Sequence, residues 1–268
     1  MLAGNKNVGK GLLVVVLSYL AYNDEAVTIH FLSMDLHHLG ASFIPPSQGQ
    51  IAYIDSLLKQ KNEESSIIVY DVGKEYQAQT WHKKFKRSAY TPYALCRLFA
   101  DFLPLPEKVL YLDTDTFILG NISPLYHTDM EDYEFAGCYD QLGTFWIGAT
   151  YQNSGVLLFN MARCRETGLF AACRDYLKKK HPILADQDAL NRCVKKKKFL
   201  PQIYNEQTRG QDDTVIRHFS KTIRFLPFFH TVSVKPWHVD KVASWEKSNR
   251  YDDVLGEYSQ RIEEFEKQ

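Results

Sequence analysis

The chain has no net charge: 32 lysines and arginines balance 32 aspartates and glutamates. A protein that grips polynucleotides leaves a basic footprint for their phosphates, so nucleic acid is excluded as the main partner. Cysteine is sparse and unpatterned. Cys96, Cys138, Cys164, Cys173 and Cys193 are odd in number and form no CxxC. That argues against a disulfide frame or a zinc site and for reduced thiols in a cytoplasmic protein. No internal repeat and no low-complexity linker is visible. Residues 11–21 (GLLVVVLSYLA) follow Lys6 and Lys10 like a signal-peptide core. They fall short of the ~20 apolar residues that a bilayer crossing takes, and no small-x-small cleavage pattern comes after them. They are expected to form a buried first helix.

What is present is a large core. Apolar residues make up 45% of 268 positions, enough for one large domain or two small ones. Strand-like and helix-like segments alternate. Residues 27–34 (VTIHFLSM) and 66–72 (SIIVYDV) read as strands. Between them, after Pro45 and Pro46, Ser47 is placed to cap a helix carrying Ile51, Ile54, Leu57 and Leu58 at helical spacing. Residues 93–103 read as a helix with Pro92 near its start, and 108–112 as a strand. Residues 156–159 and 215–219 add strands, residues 186–194 a helix, and the tail from Asp252 an amphipathic helix. Such alternation predicts an α/β fold with a mostly parallel central sheet flanked by helices. Two lysine runs, 178–180 and 195–198, read as solvated helix ends, with a membrane-surface patch as the weaker reading.

The apolar run 109–112 stops on two acids, Asp113 and Asp115, with only Thr114 between them. In open α/β sheets ligands sit beyond the carboxyl ends of the strands. In extended chain residues i and i+2 face one side, about 7 Å apart at Cα. Two anions so placed call for a cation, and an all-oxygen pair favours Mg²⁺ or Mn²⁺ bridging to phosphates. The plainer alternative is a turn that caps the next segment. Two chemistries use the pattern: the DxD of nucleotide-sugar glycosyltransferases, and the DxDxT of haloacid dehalogenase-like phosphatases, in which Asp113 would be the nucleophile and Asp212-Asp213 a downstream acidic pair. The phosphatase motif usually lies on the first strand, whereas here roughly 110 residues come first.

Other clusters favour the first chemistry. Tyr151 to Asn160 (YQNSGVLLFN) resembles the "NAGVLL" segment of glycosyltransferase family 8. Leu184 to Asn191 (LADQDALN) is similar to that family's "DQDxLN" helix. His218-Phe219 resembles its "HY/HF" strand end and Lys235-Pro236-Trp237 its "KPW". Arg97 is similar to the Arg before the DxD strand, and Asp140 to an Asp just beyond it. The order along the chain is the family's, over about residues 1–240. Members include bacterial lipopolysaccharide glucosyl- and galactosyltransferases and glycogenin. The resemblance implies a GT-A domain over 1–240 with a helical extension over 241–268, a UDP-hexose donor, Mn²⁺ (or Mg²⁺) dependence, and retention of anomeric configuration. The acceptor would be a glycan, glycolipid or glycoprotein. It also implies a cytoplasmic enzyme, associated at most peripherally with the inner face of the membrane.

The same resemblance suggests roles. Asp113, Asp115 and His218 would hold the metal, with His230 as competitor for the third ligand. Lys235 would add positive charge at the diphosphate. Arg97 would position the acidic loop and the phosphates, or touch the donor sugar. Thr114 would lie at the donor, and Asp140, Asn153, Ser154, Asp186 and Gln187 would bind its sugar, the last two nearest the reacting carbon. Each has a plainer rival: a core histidine for His218, an ion pair for Arg97, a turn for Asn153, helix-dipole charges for Asp186 and Asp188, loop residues for His37 and His38, and packing for the aromatic stretch 225–229. Two departures stand out. Family members open with a full strand ending in an Asp at the uracil ring, then an Asn near the ribose. Here the strand is nearly absent as written, which points to a start upstream, and Asn5 and Asn7 fill those places. The interval 219–234 between His218 and the KPW is also longer than in the sugar transferases, leaving Lys221 or Lys235 to meet the diphosphate. A lectin-like scaffold with a degenerate site is the remaining, non-enzymatic alternative.

Overall fold

The computed structural model describes residues 1–79, 92–180, 182, 184–224 and 230–268, with the side chains of residues 222–224, 230 and 231 outside the description. The chain opens with a two-residue strand β1 (Leu2–Ala3), a 3-10 turn (Lys6–Val8) and helix α1 (Gly9–Tyr22). Leu12, Leu13, Val14 and Val16 of α1 are fully buried. A helix apolar on all sides belongs inside the protein, which accounts for the run that imitates a signal peptide. Strand β2 (Thr28–Ser33), helix α2 (Gln48–Lys61) and strand β3 (Ser66–Asp71) follow where expected. Ser47 accepts from the Gln50 backbone N–H, and Gln50 returns a side-chain bond to Ser47, a complete capping box.

A short helix α3 (Gly73–Gln77) leads toward a 3-10 helix, Pro92–Phe102, tighter than the helix expected there. Strands β4 (Lys108–Leu112) and β5 (Thr116–Ile118) are followed by the turn-length helix α4 (Ser123–Tyr126) and strand β6 (Phe135–Tyr139). Helix α5 (Gln141–Trp146), strand β7 (Gln152–Asn160) and helices α6 (Met161–Thr167), α7 (Leu169–Lys179) and α8 (Ala185–Cys193) come next. The rest is β8 (Lys197–Phe199), β9 (Ile216–His218), the β10 (Thr222–Arg224) and β11 (His230–Val232) ribbon, α9 (Val239–Glu246) and α10 (Asp252–Lys267).

The strands form β3-β2-β1 and β4-β7-β6-β8. Met1 joins the two halves: its nitrogen donates to the Leu110 carbonyl at 2.6 Å, and Leu112 N–H donates to the Met1 carbonyl at 3.0 Å. That slanted pattern is parallel pairing. Of these seven strands β7 alone runs against the others, so the sheet is mostly parallel as expected. β7 starts four residues earlier than its apolar run. Gln152, Asn153 and Ser154 are buried in the strand, which overturns the turn reading of Asn153. One core lies around α1, α2, β5 and α10; the other packs the 92–102 helix against α7 and α8. The C-terminal helix contributes Val254, Leu255, Tyr258 and Phe265 to the first core. Among the described residues no helix is long and apolar enough to cross a membrane.

Candidate metal centre

The apolar strand β4 ends at Leu112 and the chain turns at once. Thr116 N–H and Thr116 Oγ1 both bond the Asp113 carbonyl, at 3.1 and 2.8 Å, and β5 begins. The two acids are therefore gathered by a tight turn and not by an extended i, i+2 register. The turn is pinned on both sides. Asp113 N–H donates to the Gly155 carbonyl of β7 at 2.8 Å. The Thr114 carbonyl lies so close to Gly11 of α1 that a Cβ there would sit 2.3 Å from it.

β5 pairs with β9, which sets Thr116 opposite His218 and aims the imidazole at the turn. His218 Nε2 lies 3.3 Å from Asp115 Oδ1 and 3.7 Å from Asp113 Oδ2. One ligand atom from each of the three residues falls within 4.8 Å of the others. Two carboxylate oxygens and an imidazole nitrogen suit a borderline-hard divalent ion such as Mn²⁺. Asp115 is also bonded by Lys235 Nζ at 2.5 Å. Burial favours its neutral acid, but His218 and Lys235 outweigh that and hold its pKa below the usual carboxylate range. Lys235 thus meets an acid of the turn directly, while Lys221 is exposed. The side chain of His230, the alternative ligand, and the stretch 225–229 lie outside the described residues.

Arg97 is the hub behind the turn and is 3% exposed. Its guanidinium donates to Asp113 Oδ1 at 2.7 Å and to the Ser154 carbonyl, sits 3.2 Å from Asp186 Oδ2, and stacks 4.0 Å above the Tyr111 ring. Burial opposes its charge, yet Asp113, Tyr111 and Asp186 push its pKa above the ordinary value. Tyr111 also donates to Asp113 Oδ1 at 2.7 Å, so that oxygen is fixed and Oδ2 is left toward His218. Asp186, on the first turn of α8, has its pKa raised by burial and by Asp113, against the pull of Arg97. Its Oδ2 is buried without a hydrogen bond among the described residues. Its one described partner is the Arg97 guanidinium, at ion-pair distance without hydrogen-bond geometry.

A polar network runs on from there. Ser154 N–H donates to Gln187 Oε1 at 2.9 Å, and Gln187 Nε2 to Asp140 Oδ2 at 3.0 Å. Asn153 Nδ2 donates to the same Asp140 oxygen at 2.9 Å. Asp140 Oδ1 caps α5 through Gly143 N–H. The expected residues Arg97, Asp113, Asp115, Asp140, Asn153, Ser154, Asp186, Gln187, His218 and Lys235 are thereby brought into one connected cluster. Thr114 is the buried middle of the turn. Asn5 is committed locally: it caps the 3-10 turn by accepting from Asn7 N–H and donates to the Ser42 carbonyl, while Asn7 is exposed.

Asp188 accepts from Tyr151 and from the Leu184 N–H, the helix-start role foreseen for it. The lysine runs are engaged with neighbours: Lys178 with Asp175, Lys196 with Asp132, Lys197 with Asn191, and Lys198 with the Asp129 carbonyl. Two members of the site were not foreseen, Tyr111, hidden in an apolar run, and Asn205, which bonds His218. Tyr111 sits only two positions from Asp113 but reads as one more apolar residue of the strand, and Asn205 acts on a partner 13 positions away.

Gly155 makes room for His218, because a Cβ on it would fall 2.1 Å from the ring Cε1. Gly155→Ala is expected to push the imidazole off the acids and weaken Mn²⁺ binding at least about tenfold, the scale seen when a ligand's support is lost. A titration showing unchanged affinity would count against His218 as a ligand.

The family model described as "Glycosyl transferase family 8" matches residues 1–241. The chain is 27% identical to the lipopolysaccharide glucosyltransferase WaaO of Escherichia coli K12 over 207 residues, 69% of this chain and 59% of that one. It is 35% identical to the glycosyltransferase GlyA of Streptococcus pneumoniae over 94 residues, 34% of this chain and 13% of that one. The chain thus corresponds to less than two thirds of the length of either relative. The crystal structure of the galactosyltransferase LgtC in complex with donor and acceptor sugar analogues superposes with a TM-score of 0.69 at 19% identity, covering 96% of this chain and 94% of that one. That likeness shows the GT-A fold. The phosphatase reading of Asp113 finds no support in any of these matches, and Asp212 and Asp213 are exposed in a turn.

Proposed function

The chain belongs to glycosyl transferase family 8, and on that premise we propose that it moves a hexose from a UDP-sugar to a glycan, glycolipid or glycoprotein acceptor with retention of configuration. The observation that carries the proposal is the convergence of Asp113, Asp115 and His218 on one point at the end of β4. The likeness to WaaO supports an acceptor of the lipopolysaccharide or cell-surface class, and a cytoplasmic site of action follows from such a role. Mn²⁺ (or Mg²⁺), held by Asp113, Asp115 and His218, would neutralise the charge that grows on a departing diphosphate.

The chain's own residues do the remaining work. Arg97 and Tyr111 orient Asp113 by both donating to its Oδ1. Lys235 keeps Asp115 ionised and adds a positive charge beside the phosphates. Asp140 and Asn153 have donor and acceptor capacity left for sugar hydroxyls. Gln187 and the under-satisfied oxygen of Asp186 border the face where positive charge develops on the sugar ring. No side chain is assigned as a covalent nucleophile; the acceptor hydroxyl attacks from the leaving-group side and gives its proton to the departing diphosphate.

A ligand selective for the folded state raises apparent stability by about 2.7 kcal/mol at a hundredfold excess over Kd. For a chain of this size that is several degrees in Tm. UDP is expected to produce such a rise with Mn²⁺ present and little or none in EDTA. A rise of equal size in EDTA would refute the metal's part, and no rise in either condition would favour the scaffold alternative.

A further inference from the structure

His218 faces the two acids through Nε2, and a histidine can ligate a cation only through a bare nitrogen. Which nitrogen carries the proton is decided on the other side of the ring. There Nδ1 lies 3.1 Å from Asn205 Oδ1. An amide can present either its oxygen or its nitrogen, so the direction of this bond has to be set by something that cannot reverse. The network ends on two such groups. Gly155 N–H, which can only donate, bonds Asn153 Oδ1 at 2.9 Å. Asp140 Oδ2, when ionised, can only accept, and it bonds Asn153 Nδ2 at 2.9 Å. Both ends of the Asn153 amide are therefore fixed independently and agree.

With Asn153 Oδ1 an acceptor, the Asn205 group that meets it at 3.0 Å must be Nδ2. The Asn205 oxygen is then turned to His218. An oxygen there accepts, so Nδ1 must carry the hydrogen. Asn205 is fully buried, and Asn153 and His218 are 5% and 4% exposed, so bulk water is not at hand to substitute for a partner or to loosen the order.

We infer that Asn205 is a positioning residue: through a one-way chain from Gly155 N–H by Asn153 it holds His218 with Nδ1 protonated, leaves Nε2 as the ligating nitrogen, and excludes the neutral Nε2–H form. The alignment is strand chemistry put to use. Gly155 and Asn153 lie on β7 beside the acidic turn, and His218 lies on β9 across β5. The 3-10 turn Gln202–Tyr204 delivers Asn205 between them.

The proposal rests on the metal role of Asp113, Asp115 and His218, and the test separates the two. Mn²⁺ affinity is measured from the paramagnetic resonance of the free ion for the unmodified chain, Asp113→Asn, Asn205→Leu, His218→Gln and the double variant Asn205→Leu/His218→Gln. Leucine keeps the volume and removes the acceptor. Asn205→Leu is expected to weaken Mn²⁺ binding 10–100-fold, the range for lost support of a ligating histidine. It is expected to add no further loss once His218 is glutamine, because the two act as one unit. Affinity within twofold of the unmodified chain, or an equal loss in the His218→Gln background, overturns the relay. Mn²⁺ binding that survives Asp113→Asn instead overturns the metal role and leaves the relay to the second measurement.

That measurement needs no variant at Asn205 and so is safe against one that fails to fold. Long-range proton–nitrogen correlation of the unmodified chain, with and without Mg²⁺, reports the ring nitrogens directly, the His218 signals being identified by their loss in His218→Gln. Nδ1 is expected to be protonated in both states. A bare Nδ1 in either state overturns the inference.

Discussion

Arg97→Met is expected to cost the metal-free protein about 3–5 kcal/mol, the penalty for removing one partner of a buried ion pair. Methionine fills the stem of the side chain but leaves Asp186 buried without its cation and takes from Asp113 one of the two donors to its Oδ1, Tyr111 being the other. The loss should depend on pH in a defined direction. The Asp186 pKa is raised by burial even with Arg97 present, and it rises further without it. An aspartate whose folded pKa exceeds its unfolded value costs stability above the folded pKa and costs nothing below the unfolded one. The deficit of Arg97→Met should therefore be full at pH 8 and shrink as the pH falls through the raised pKa of Asp186 toward the ordinary carboxylate range. Urea melts of both proteins at pH 8 and at pH 5 check this. A midpoint at pH 8 equal to that of the unmodified chain would mean that Arg97 does not bear the load assigned to it.

Asp115→Asn is expected to have the largest effect on activity, a fall in kcat/KM of about 10³-fold or more, equivalent to about 4 kcal/mol of transition-state stabilisation. The substitution changes little in volume. It removes one of two carboxylates from the ion's reach and weakens the hold on Lys235, now bonded to Asp115 at 2.5 Å and to the Phe219 carbonyl at 3.2 Å. Raising Mn²⁺ concentration should recover only part of the rate, because the asparagine oxygen is a weaker ligand and Lys235 no longer has an acid to hold it at the site. Sugar transfer from UDP-hexoses, with release of UDP as the readout, makes the comparison. Activity within a few-fold of the unmodified chain would remove Asp115 from the metal site.

The readable parts of this protein are those in which a local pattern has a local cause. The apolar α1, the Ser47 cap with its Gln50 partner, the strand that halts on Asp113, and the helix that begins at Ala185 all follow from residues within a few positions of one another. What stayed hidden depends on partners far along the chain. Gln152 to Ser154 look like turn residues because they are polar, yet they sit inside β7. Gln152 reaches the Gly137 and Lys198 carbonyls, Asn153 reaches Asp140, and Ser154 reaches Gln187. Burial of such groups is tolerated once they are hydrogen-bonded, and sequence spacing carries no trace of those bonds. Asn205 is the same case, 13 positions from His218 and 52 from Asn153. The nearness of the two acids was legible, but its geometry was not: the Thr116 hydroxyl closes a turn on the Asp113 carbonyl, and that turn, not strand alternation, brings the carboxylates together.

The pairing of Asp113 and Asp115 with His218 around a divalent ion is tested most directly by anomalous diffraction at the manganese absorption edge, from crystals grown with UDP and Mn²⁺. A single strong peak is expected, bounded by Asp113, Asp115 and His218 Nε2 and touching the diphosphate. A peak elsewhere, or ordered diphosphate with no peak among those three side chains, would contradict that pairing.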